Sequence, residues 1–237
     1  MCTVIIRIPN SAAEPVRLIA IRDEDPARAW LPLGESWPDE HPGVVGVRDA
    51  RAGGAWLAAD PGRGRLAVLL NRADRSTRSE SELVSRGGIV LASVAGESPA
   101  GRPATHGFNL VEVDGVAARV STWDGEQLRA TDLGPGTHML AHDDVDDPGT
   151  PRIARWLPEF REAKTEGDAW WAPWLEIIDR SAELPHDDDR TIIRDNRAFG
   201  YPTLSLLLCA ATVSPGAVDL RYAELPAPGE WGALELT

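Results

Sequence analysis

Three short runs restrict what this chain can become. Met1-Cys2-Thr3-Val4-Ile5-Ile6-Arg7-Ile8, Arg17-Leu18-Ile19-Ala20-Ile21 and Arg65-Leu66-Ala67-Val68-Leu69-Leu70-Asn71 are apolar at successive positions, not alternate ones. Side chains of a strand point alternately to its two faces, so a strand apolar throughout must be covered on both. The runs are too short for core helices and are bounded by Pro, Gly and charged residues, which favours buried strands. Further strand signals follow at Gly107–Val113, Ala117–Trp123, Gln127–Leu133, Thr203–Val213 and Val218–Leu225, with tight turns at Asp114-Gly115, Asp124-Gly125 and Ser214-Pro215-Gly216. Strands in both halves, with helical patterns between them, predict a layered α+β fold.

The 237 residues, 43% of them hydrophobic, suffice for one domain over 1–237, and no linker or internal repeat divides them. A net charge of −13 argues against nucleic acid and anionic membranes as partners. The longest apolar run, Leu204–Val213, is too short to span a bilayer, and no signal-peptide pattern opens the chain. Two cysteines, Cys2 and Cys209, make no disulfide framework, so a cytoplasmic location is expected. Nine tryptophans against two tyrosines are unusual, and core packing is the default reading, with some left for a pocket wall.

Cys2 opens the first strand. Its side chain is small enough for removal of the initiator Met, which would leave a thiol and a free α-amine on one residue. An amine with a reference pKa of about 7.7–8.0 accepts the thiol proton near neutrality. A small buried thiol at a strand start is the plain alternative. The second strand ends in Arg22-Asp23-Glu24, three charges that read as a solvated strand end, yet lie beside Cys2 if the two strands pair antiparallel. Asn71 ends another buried strand, where its amide suits either a turn or an oxyanion donor.

Elsewhere the pattern is less regular. Residues 25–54, rich in Pro, Gly and Asp, read as a long loop. Glu80–Val94 reads as a helix interrupted at Ser85-Arg86-Gly87-Gly88, with Leu83, Val84, Ile89, Val90 and Leu91 as core candidates. Thr150-Pro151 starts a helix that Pro158 should kink or divide, and Ala169–Ser181 forms another. The acidic clusters Asp143–Asp147 and His186–Asp189 read as solvated loops; no metal site is expected from them.

Several motifs occur in a familiar order: Met1-Cys2, Arg22-Asp23-Glu24, Gly53-Gly54-Ala55-Trp56-Leu57, Leu70-Asn71, Ser85-Arg86-Gly87, Gly107-Phe108-Asn109-Leu110 and Leu133-Gly134-Pro135-Gly136-Thr137. In this the chain resembles the NRDE family, that of transport and Golgi organisation protein 2, over nearly its whole length. That family is similar to N-terminal-nucleophile hydrolases with a cysteine nucleophile. The resemblance implies a four-layer αββα fold with two stacked antiparallel sheets. It implies Cys2 as nucleophile, Arg22 and Asp23 beside it, and Asn71 as oxyanion donor; Glu24, Trp56, Asn109 and His142 are further candidates for the pocket wall. Three positions depart from the family pattern: Ile21 replaces the Asn of Asn-Arg-Asp-Glu, Ala141-His142 replaces Ser-Asn, and Pro202 stands where the family has arginine.

Two functions are thereby expected of different classes. The first is hydrolysis of a non-peptide C–N amide bond in a small molecule through a Cys2 thioester, with no cofactor. The alternative is non-catalytic binding and trafficking of haem or another hydrophobic metabolite, for which His106, His138, Met139, His142 and Cys2 are the available axial ligands.

Overall fold

A computed structural model describes residues 2–237. The chain opens with β1 (Thr3–Ile8) and β2 (Val16–Glu24), antiparallel neighbours in the register Thr3↔Ile21. It then crosses to a second sheet and builds it as a meander of β3 (Trp30–Gly34), β4 (Val45–Asp49), β5 (Ala55–Asp60), β6 (Arg65–Asn71), β7 (Phe108–Asp114), β8 (Ala117–Trp123) and β9 (Leu128–Asp132). Helix α1 (Gly87–Ala95) lies between β6 and β7 in the chain. The chain returns to the first sheet with β10 (Gly136–Leu140) beside β1. Helices α2 (Pro151–Glu162) and α3 (Ala172–Ala182) follow, and β11 (Leu204–Ser214) and β12 (Ala217–Glu224) complete the order β10-β1-β2-β11-β12.

Alternation along the strands sorts the core into three layers of contact. Even-numbered residues of β1 and β2 (Val4, Ile6, Leu18, Ala20) pack with Leu57, Val68, Leu70 and Val111 of the other sheet, so the sheets are stacked face to face. The odd-numbered ones (Ile5, Ile19, Ile21) pack outward against Ile153, Trp156, Phe160, Trp174 and Ile178 of α2 and α3. On the far side of the second sheet, Ala55, Ala67 and Leu69 meet Val90, Leu91 and Val94 of α1. Strands β1, β2, β6 and β11 are covered on both faces, which is why they read as continuous apolar runs. Tryptophans serve mainly as core: Trp37, Trp56, Trp123, Trp156, Trp170 and Trp174 are buried.

Four expectations need correction. Residues 25–54 are not a loop but contain β3 and β4; Pro32 is accommodated because β3 is an edge strand, where a missing backbone N–H is harmless. The stretch before α1 is a 3-10 turn at Glu80–Glu82 followed by extended chain, with Val84 exposed, so Leu83 and Val84 are not core helix positions. Helix α2 runs unbroken through Pro158, held by its buried face of Ile153, Trp156, Leu157 and Phe160. Finally, Arg22 and Asp23 are no solvated strand end: β2 continues to Glu24, and both residues are only 3% exposed.

Candidate functional site

The register of β1 against β2 brings Cys2 next to the end of β2. The Cys2 thiol is clamped by one backbone unit: it accepts from the Asp23 N–H at 3.4 Å and donates to the Asp23 carbonyl at 3.7 Å. It lines a cavity of about 70 Å³. Arg22 and Glu24 of β2, Trp56 of β5 and Asn71 of β6 share that cavity, together with Arg28, Asp49 and the segment Ser85-Arg86-Gly87.

A backbone contact fixes that last segment. At Gly54, a methyl group would lie 2.5 Å from the Gly87 carbonyl carbon; at Gly87, it would lie 2.8 Å from the Gly54 Cα. The two residues touch backbone to backbone, which only glycine allows. The start of α1 is thereby pressed against the start of β5, and the residues preceding the helix face Cys2's cavity. This is a physical reason for the pairing of Gly53-Gly54 with Ser85-Arg86-Gly87 in the sequence.

Charge in the cavity is organised as a chain. Arg22 lies 3.8 Å from Glu24, Glu24 lies 3.8 Å from Arg28, and Arg28 binds Asp49 at 2.6 Å. The Arg22 guanidinium also lies 5.5 Å from the Trp30 ring centroid. Arg86 donates to the Gly107 carbonyl at 2.9 Å and forms no ion pair among the described residues. The thiol of Cys2 is pushed up from its ordinary pKa, first by burial and then by the Asp23 charge, against which Arg22 is the weaker influence. In the chain that still carries Met1, the Cys2 sulfur is therefore held as a neutral thiol, since the lowering by Arg22 does not offset the burial.

The Asp23 carboxylate lies on the opposite, helix-covered face of β2. There it accepts from the Ser205 hydroxyl at 2.6 Å, and Ser205 accepts in turn from the Arg194 N–H at 2.8 Å. Arg152, fully desolvated beside it, donates to Thr3 at 3.0 Å, and burial lowers its pKa to about 10. Asp23 thus meets the thiol through its backbone and Ser205 through its carboxylate.

Of the residues singled out in the sequence, Cys2, Arg22, Asp23, Glu24, Trp56 and Asn71 border this one cavity, whereas Asn109 and His142 do not. Asn109 is fully buried and its amide is spent on structure: it donates to the carbonyls of Ala141 and Asp143 and accepts from Thr122, tying β7 to the chain leaving β10. His142 lies 3.2 Å from Asp143, and burial, aided by Arg152, holds its pKa down. The other haem-ligand candidates are engaged elsewhere. His106 sits between Asp74 and Glu80, His138 between Asp146 and the Gly134 carbonyl, and Met139 is fully buried in the helix-side core. Reasoning from sequence gave no role to Arg28, Asp49 or Arg86, although Ser85-Arg86-Gly87 was conspicuous as a motif.

The fold and site together define an α+β protein of two stacked antiparallel sheets, with a cysteine at position 2 on the wall of an inter-sheet cavity. The chain belongs to the Transport and Golgi organisation 2 family, whose model matches residues 1–198. The matched span ends before β11 and β12, which complete the first sheet and supply Ser205 to Asp23. No curated protein matches the chain. No helix among the described residues is long and apolar enough to cross a membrane.

Proposed function

We propose that the protein is an N-terminal-nucleophile amidohydrolase that cleaves a non-peptide C–N bond through Cys2. The observation that carries this reading is the position of the Cys2 sulfur: on a cavity wall, fixed by the Asp23 backbone, beside arginines and the amide-bearing Asn71. The two stacked sheets with helices outside both suit the fold that the family resemblance implies.

Removal of Met1 supplies what the buried thiol lacks, a base. The freed α-amine of Cys2 takes the thiol proton as Sγ attacks the substrate carbonyl. Asn71 donates to the oxyanion of the tetrahedral adduct. The C–N bond then breaks, the leaving amine takes the proton from the α-ammonium, and a thioester remains on Sγ. Water, deprotonated by the same amine, hydrolyses the thioester and releases a carboxylic acid.

The test is acyl transfer to the mature chain. Incubation with an activated acyl ester, followed by peptide mass mapping, should show one acyl group on Cys2 and none on Cys209, with turnover lost in Cys2→Ala. Unchanged turnover in Cys2→Ala refutes the proposal.

A further inference from the structure

We infer that the Cys2 cavity holds a subsite for a small carboxylate, so that the group bound beside the sulfur carries a negative charge. This rests on reading the cavity as the functional pocket, and it narrows the substrate class to short acyl groups or amides bearing a carboxylate. Three independent features converge on it. The first is the pairing of the charges. Arg22, Arg28 and Arg86 line the cavity with Asp23, Glu24 and Asp49; Arg22 and Arg28 lie against Glu24 and Asp49, whereas Arg86 has no ion pair among the described residues.

The second feature is Arg22. It is 3% exposed and lines the cavity, and its buried Nη1 has no hydrogen-bond partner among the described residues. A buried guanidinium nitrogen without an acceptor is costly, and an anion in the cavity supplies one. The third is the helix end. Ser85, Arg86 and Gly87 bring the N-terminus of α1 to the same cavity; the helix has no acidic residue in its first turn and no side-chain hydrogen bond from its capping residue. The Gly87 N–H donates to the Ser85 hydroxyl at 3.4 Å, so it is the helix dipole that favours an anion there. Size limits the ligand. At about 70 Å³ the cavity holds on the order of five waters, hence a group of about five heavy atoms.

Propionate and propionamide are a matched pair for the test, since they share size and shape and differ in charge. Calorimetric titration of the whole protein should show saturable binding of propionate and none of propionamide. Arg86→Gln should weaken propionate at least about tenfold, as expected for loss of a charged hydrogen bond. Arg86→Lys should retain part of the binding. Glu24→Gln, which removes a competing carboxylate, should tighten it several-fold; this variant guards against a misfolded Arg86→Gln. Equal binding of the two ligands, no binding of propionate, or an unchanged affinity in a folded Arg86→Gln each overturns the inference. The titration is repeated on Cys2→Ala, so that propionate binding without acyl transfer in the wild type would sink the hydrolase reading alone. Acyl transfer without propionate binding would sink this inference alone.

Discussion

Substituting neighbouring glycines should change stability in opposite directions. A methyl at Gly54 would sit 2.5–3.0 Å from the Gly87 carbonyl carbon, Cα and oxygen, all backbone atoms that cannot swing aside. Ordinary carbon contacts lie at roughly 3.5–4.0 Å, so α1 must retreat by about 1 Å from β5 and loosen Val90, Leu91 and Val94. Overpacking of this kind typically costs about 1–3 kcal/mol. For a chain of this size, each kcal/mol moves Tm by roughly 2–4 °C, which predicts a Tm lower by about 2–12 °C for Gly54→Ala. Gly87→Ala should fall in the same direction but less far, because alanine is also the better helix former. At Gly88, a methyl meets nothing within 4 Å, so Gly88→Ala should raise stability by about 0.5–1 kcal/mol. Thermal unfolding followed by circular dichroism measures all three. Iodoacetamide labelling of Cys2 should quicken in Gly54→Ala, since the segment covering the cavity is displaced. A Gly54→Ala protein that melts within a degree of wild type, with unchanged labelling, would show that the contact does not hold α1 in place.

Asn109→Ala removes the amide that ties the two halves and strands buried partners on Thr122, Ala141 and Asp143; urea unfolding should show a loss of about 2–4 kcal/mol. His138 has a raised pKa, first because of its hydrogen bond to Asp146, whose own pKa is lowered. The His138 contribution is full below its unfolded pKa of about 6.5 and is lost as pH rises through the higher folded value; the Asp146 contribution is lost as pH falls through its depressed value. The Tm gap between wild type and His138→Gln should therefore be widest near pH 5–6 and narrow on the alkaline side, and a gap that widens with pH would contradict the pair. Cys209, fully buried and with its thiol pushed up by burial alone, should resist iodoacetamide in the native protein until it unfolds, while Cys2 labels first; peptide mapping after limited labelling reads the order.

What the sequence made legible follows from burial. Strands covered on both faces announce themselves as apolar runs, so β1, β2, β6 and β11 were readable, as were the turns of the meander. Strand β3 was hidden because an edge strand tolerates Pro32 and Gly34, and β4 because it is short and flanked by turn residues. The burial of Arg22 and Asp23 depends on partners remote in the chain: Trp30 over the guanidinium, and Ser205, 182 residues away, on the carboxylate. Arg28 and Asp49 were invisible as a pair for a similar reason, since they meet only once β3 and β4 have formed. Asn109 shows the converse. It stands in a motif that suggests a pocket, yet its amide is consumed within the fold.

The central claim is that Cys2 acts with its own α-amine. The most direct test compares the rate of Cys2 acylation by an activated ester, near pH 7.5, in two otherwise identical chains: one beginning at Cys2 and one retaining Met1, each verified by intact mass. A positioned general base contributes about 10²–10⁴-fold, so the chain beginning at Cys2 should acylate faster by that order. Equal rates in the two chains would contradict the account.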